Sequence, residues 1–173
     1  TGTIGEPLIG LLAEHKESLG LDKVIFFKRT PLSEERGKVE ALIRKGAEIV
    51  STNDAISEFH QLGFNETKDV ELAYEEADVI IDCTPSGNDN WETVYSSLSQ
   101  DKRFLAQGSE HGFGPFFAWG INNKILSDDS NKFLIASCNT HNIASIVKSF
   151  ALDQQRNLTE GKFAVSYTHL TLP

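Results

Sequence analysis

The chain has 173 residues, 39% of them hydrophobic and 24% charged, with a formal net charge of −9; this suits one ordinary globular domain and the start of a second. The excess of acid excludes general nucleic-acid binding, which needs a basic surface, but leaves room for a small anion held by a few local groups. No apolar run approaches the roughly 20 residues that span a bilayer and no secretory signal pattern opens the chain, so neither a nucleic-acid nor a membrane partner is expected.

The chain opens with "TGTIGEPLIGLLAEH", a glycine turn entering a helix. Gly2 and Gly5 match the last two glycines of G-x-G-x-x-G. Bare N–H groups at such a helix start can hold a pyrophosphate; a plain tight turn would use the same glycines. Pro7 suits a first helical turn. The first glycine and the strand that would feed it are not in the sequence, so a doubly wound sheet is expected to show a gap there.

"KVIFFK" is apolar and bounded by charge, as in a buried parallel strand. "KRTP" follows it. At this strand end of a dinucleotide fold an acid would bind the ribose hydroxyl, whereas cations would accept a 2′-phosphate. Lys28, Arg29 and Thr30 stand there with no acid before Glu34. That pattern predicts NADP, with Arg29 gripping the phosphate bidentately and Lys28 adding a point charge. A solvated basic turn is the alternative. "SEERGKVEALIRKG" reads as a helix with Ser33 as N-cap and Gly46 as its stop. Arg36 stands where a capping-box glutamate would be.

"AEIVS" is a short strand, and "DAISEFHQLG" a helix capped by Asn53 or Asp54 and stopped by Gly63. "DVELAYEEA" is a further short helix, and "DVIIDCTP" the clearest strand in the chain. "WETVYSSLS" reads as a helix, "RFLAQG" and "KFLIASC" as two more strands. Strands alternating with helices imply a parallel sheet, with ligands at the carboxyl ends of the strands. "CTPSG", "AQGSE" and "ASCNT" all occupy such ends. Pro85 and its neighbours would bend the chain past a cofactor.

Cys83 and Cys138 lack a zinc-like partner spacing and read as free thiols in a reducing cytosol. Cys83 is expected to be a small core residue. Cys138 sits where a strand gives way to a helix, and helix N–H dipoles there favour the attacking thiolate. Ser137, Asn139 and Thr140 supply short polar groups for caps or substrate oxygens. A buried structural thiol is the other reading of this stretch. Ile143, Ile146, Val147 and Phe150 form an apolar stripe expected to be core. His141 is close in sequence, but residues so near at a helix start point apart, which argues against it as the base.

These pieces together, "TGTIG", "KRTP", "ADVIIDCTPSG", "LAQGSE" and "IASCNT", resemble the archaeal-type (type II) glyceraldehyde-3-phosphate dehydrogenases in order and rough spacing, over about residues 1–152. The resemblance implies a Rossmann-type doubly wound α/β domain over 1–137, its first strand missing. It implies the first helix of a truncated catalytic domain over 138–164. Residues 165–173 break the preceding style and are set aside as a non-native tail. By position, Cys138 would be the nucleophile that attacks the aldehyde; the hemithioacetal would give hydride to a nicotinamide, and the thioester would pass to inorganic phosphate. Ser137, Asn139 and Thr140 would touch the phosphorylated aldehyde substrate. Thr3, Ile4, Lys28, Arg29, Thr30, Pro85 and Gly108 would contact NADP or NAD. Enzymes of that family are cytoplasmic homotetramers.

The chain departs from that family at Ser109, which stands for a glycine, and at His141 and Asn142, which follow the cysteine segment. The family's histidine base and phosphate-binding arginines have no counterpart here, so this fragment alone is expected to be inactive. Two rival readings remain: a related semialdehyde or acyl-phosphate dehydrogenase, and a nucleotide-binding module without chemistry. Ser137 directly before the cysteine argues against the first, and a reactive thiol would argue against the second.

Overall fold

The apolar runs pair, and they pair in parallel throughout. A computed structural model describes residues 2–85, 87, 89–107, 112–127, 130–153 and 158–164. The early strands are β1 (Ile25–Phe27), β2 (Glu48–Ser51) and β3 (Lys68–Asp69), the later ones β4 (Val79–Asp82), β5 (Arg103–Gln107), β6 (Phe116–Phe117) and β7 (Lys132–Ile135). Between and after them lie α1 (Gly5–Glu14), α2 (Arg36–Arg44), α3 (Ile56–Gln61), α4 (Val70–Glu76), α5 (Asn90–Thr93) and α6 (Cys138–Val147).

The strands form two ladders, ordered β1-β2-β3 and β4-β5-β7-β6, every pair parallel. This is an α/β fold of the Rossmann type. The ladders share no strand pairing. β1 and β4 each stand at an edge of their own ladder. Gly5, at the start of α1, lies beside the end of β4: a methyl group on it would sit 3.5 Å from the Cys83 Cβ.

Each ladder has its own core. Around β1 and β2, Val24, Phe26 and Ile49 pack with Ala13 of α1, Val39 and Leu42 of α2, and Phe59 of α3. Around β5, Phe104 is fully buried among Tyr95, Phe113 and Leu134. The Trp91 ring meets Phe104 edge-on at 5.3 Å and Phe113 at 5.6 Å. Such edge-to-face pairs each add about 0.5–1.5 kcal/mol beyond area burial.

Several local expectations need correction. Ser33 does not cap α2: the helix is entered through a 3₁₀ turn over Ser33–Glu35, whose Glu35 N–H bonds the Leu32 carbonyl at 3.1 Å. Backbone has replaced the side-chain cap. Arg36 opens α2 and pairs with Glu40 one turn on, at 2.7 Å. Neither Asn53 nor Asp54 caps α3; Ala55 precedes it, and its first turn has no side-chain cap. "WETVYSSLS" gives a single α-turn and then a 3₁₀ turn, because Val94 leaves helical geometry at φ −130° and ψ −63°. The stops at Gly46 and Gly63 hold, at φ +96° and +92°, where a side chain would be strained.

Two further expectations fail by exposure. The α6 stripe is not core: no residue of α6 is buried, Ile146 is 44% exposed, and Phe150 just beyond is 72% exposed. Residues 162–164 lie beside Ile143 and Ile146 without burying them. Cys83 is half-buried rather than enclosed. Residues 165–173 lie outside the described residues.

Phe104→Ala is expected to cost about 3–5 kcal/mol, since truncation empties the centre of the β5 core. Urea unfolding followed by tryptophan fluorescence should give a lower midpoint with little change in slope. A midpoint equal to that of the unsubstituted chain would place the core elsewhere.

Candidate functional site

Parallel pairing sets where the strands end. Asp82 pairs with Ala106 and Gln107 with Ile135, so β4, β5 and β7 release the chain at nearly one level. The three strands therefore end at one edge of the sheet, where α/β folds bind ligands.

From β7, Ala136 continues the ladder by donating its N–H to the Phe117 carbonyl at 2.8 Å. Ser137 is extended, at φ −60° and ψ 159°, and caps α6: its Oγ accepts the Thr140 N–H at 3.3 Å and lies 2.9 Å from Thr140 Oγ1. The first full helical bond is His141 N–H to the Ser137 carbonyl, 2.8 Å. Cys138 is thus the first residue of the helix, and it is exposed. The buried-thiol reading fails. Thr140 is exposed and Asn139 half-buried.

His141 turns toward the neighbouring loop, its Nε2 3.0 Å from the Trp119 carbonyl. A carbonyl only accepts, so this bond requires the proton on Nε2. That nitrogen ties α6 to the loop after β6.

At the end of β4 the sequence reading missed Asp82. Its carboxylate is buried and accepts the Thr84 N–H at 2.7 Å and the Asn90 Nδ2 at 2.8 Å. The same Nδ2 lies 3.0 Å from Thr84 Oγ1. One buried acid thus shapes the turn carrying Cys83, Thr84 and Pro85 and ties it to the start of α5. The signal was an aspartate two residues before the N–H it accepts, an Asx-turn. Pro85 is exposed. The Cys83 thiol is pushed up by burial first and by the Asp82 carboxylate second.

Just before α1, Thr3 and Ile4 are exposed, and at the helix start Glu6 donates its N–H to the Gly2 carbonyl at 2.9 Å. The Glu6 carboxylate lies 3.9 Å from Lys38 Nζ. At the end of β1 the two cations part company. Lys28 is buried and paired with Glu35, whereas Arg29 and Thr30 are exposed. Gly108, the remaining sequence-predicted contact, lies outside the described residues. Among the described residues no group of three His, Cys, Asp or Glu side chains is placed to hold a metal ion, and no helix is long and apolar enough to cross a membrane.

Set against known proteins, the chain matches no family model and no solved structure. It is similar to the glyceraldehyde-3-phosphate dehydrogenase of Sulfolobus acidocaldarius, 27% identical over 107 residues. The match takes in 61% of this chain and 31% of that enzyme's length.

The two thiols should differ in reactivity. Burial hinders access to Cys83 and a raised pKa leaves it less thiolate at a given pH, so Cys83 should be alkylated by iodoacetamide more slowly than the exposed Cys138 near pH 7. Its rate should climb as pH rises. Peptide mapping after timed quenching reads both rates; equal rates would mean that Cys83 is as open as Cys138.

Proposed function

We propose that the chain is part of an NAD(P)-dependent phosphorylating glyceraldehyde-3-phosphate dehydrogenase, a cytoplasmic homotetramer. On this reading residues 1–137 make the cofactor domain and 138–164 begin the catalytic domain. One observation carries the proposal: Cys138 is the exposed first residue of a capped helix at the carboxyl edge of the sheet. The likeness to the Sulfolobus enzyme supports it.

The exposed residues fit a dinucleotide lying along this edge. Thr3 and Ile4 would offer backbone to its pyrophosphate, Arg29 and Thr30 would meet the adenosine ribose, and Pro85 would border the path between. When bound, the nicotinamide supplies a hydride acceptor.

The Cys138 sulfur would attack the aldehyde carbon, forming an S–C bond while the carbonyl oxygen takes the charge. Backbone N–H groups in the first turn of α6 would face that charge. Loss of hydride from the same carbon leaves a thioester. Inorganic phosphate then attacks the thioester carbon and the C–S bond breaks, releasing the acyl phosphate and restoring the thiolate. Ser137 would act chiefly by fixing the helix start, since its hydroxyl is taken up by Thr140. Asn139 and Thr140 would meet the substrate's hydroxyl and phosphate oxygens.

In the full-length protein Cys138→Ser should lower phosphate- and aldehyde-dependent NAD(P)H formation by several orders of magnitude, because a hydroxyl lacks the thiolate's nucleophilicity. Nucleotide affinity, read by fluorescence titration, should stay within about twofold, the scatter of independent sites. Retained turnover in that variant would sink the mechanism. The 173-residue chain expressed alone should show no turnover.

A further inference from the structure

β6 ends its ladder, and among the described residues no strand pairs with its outer side. Toward β7, the Pro115 and Phe117 carbonyls accept from Leu134 and Ala136 at 3.0 and 2.8 Å. Successive residues of a paired strand turn their backbone groups to opposite neighbours. Phe116 and Ala118 therefore present theirs to the open edge, where unpaired groups invite another chain.

Asn122 fills that edge. Its Nδ2 donates to the Phe116 carbonyl at 2.8 Å, and its Oδ1 accepts the Ala118 N–H at 2.9 Å. A carboxamide carries a donor and an acceptor in one plane, as a peptide group does, so Asn122 stands in for the next strand. The same move folds the loop back. The Ile121 and Asn122 N–H groups donate to the Ala118 carbonyl at 3.0 and 3.3 Å, and the Gly120 N–H donates to Asn123 Oδ1 at 2.7 Å. None of these bonds involves α6. Trp119 thus sits in a loop built from its own sheet edge, and its carbonyl is offered outward to His141 Nε2 at 3.0 Å.

No residue of α6 is buried, so polar ties must place it. Two of them bracket Cys138 and run to the same segment: Ala136 N–H to the Phe117 carbonyl, and His141 Nε2–H to the Trp119 carbonyl. One tie leaves a helix start free to pivot; two fix its direction.

Resting on the dehydrogenase reading above, we propose that Asn122 and His141 are positioning residues for Cys138, acting as one unit: Asn122 builds a platform on the sheet edge, and His141 pins the first turn of α6 to it.

Kinetics of the full-length protein test this. His141→Ala should lower kcat about tenfold or more, because a displaced nucleophile loses its attacking geometry, while KM for the aldehyde and nucleotide affinity stay within about twofold. His141→Gln, whose amide N–H reaches about as far as Nε2, should restore kcat to within about threefold of the parent. Asn122→Ala should lower kcat by a similar factor to His141→Ala. The Asn122→Ala, His141→Ala double variant should be no worse than the poorer single one, since both remove one tie. Amide hydrogen exchange in the first turn of α6 reads the same tie without turnover: it should quicken in both alanine variants and not in His141→Gln. The two His141 variants decide the matter if Asn122→Ala does not fold. Full kcat in His141→Ala, failure of glutamine to restore it, or losses that multiply in the double variant each overturn the proposal and leave the dehydrogenase reading standing. Absence of turnover in the unsubstituted protein overturns that reading and the catalytic role drawn from it; unchanged exchange in His141→Ala then overturns the tie as well.

Discussion

In the β4-β5-β7 ladder every strand runs the same way, and register holds Asp82 level with Ala106 and Leu134. An antiparallel pair would send alternate turns to opposite edges; a parallel one must send all of them to the same edge. The turn after Asp82 and the start of α6 leave the same edge for that reason. Parallel strands also need long connections, and the helices that fill those connections cover the sheet. The fully buried Phe104 and its aromatic neighbours are the result in this half of the chain.

Buried polar groups shape the strand ends of both ladders. Asp82, Ser51 and Lys28 are all buried, and each lies at a strand's end or just past it. A polar group taken from water costs roughly 1–3 kcal/mol when left without a partner, and no described buried side-chain N or O lacks one. Each such bond fixes the chain as it leaves the sheet. Asp82 curls the β4 turn, Ser51 fastens the end of β1 to β2, and Lys28 fastens it to the turn before α2. These groups do not line a site so much as set the direction of the loops that would.

Strand positions were legible because a buried parallel strand is a nearly continuous apolar run, and "VIFF", "EIV", "VII" and "FLI" are such runs. The helix stops at Gly46 and Gly63 were legible because only glycine is comfortable at their φ values. What escaped depends on contacts between distant residues. β6 is two phenylalanines after Gly-Pro, and only pairing with β7 makes them a strand. Lys28 and Arg29 look alike in sequence, and only parity and Glu35 separate them. Caps were misplaced at Ser33 and at Asn53 or Asp54 because the backbone satisfied itself through tighter turns. Exposure of Cys138 and its place at a helix start followed the local pattern, since a serine cap after a strand is a short-range signal.

The exposed stripe of α6 bears on how firmly that cysteine is held. At ten residues the helix is shorter than isolated helices need for stability in water, which is about 12–15. With no buried residue of its own, it draws order from the Ser137 cap, the Ala136 tie to Phe117 and the His141 tie to Trp119, all toward its first half. It runs on into a π-turn over Lys148–Leu152. A surface laid over Ile146 and Phe150 would add roughly 25 cal/mol for each Å² of apolar area covered, and that energy would reach the first turn because helix formation is cooperative. In the dehydrogenase reading the catalytic half provides that cover, so the same contact that completes the domain would also steady the sulfur at the helix start.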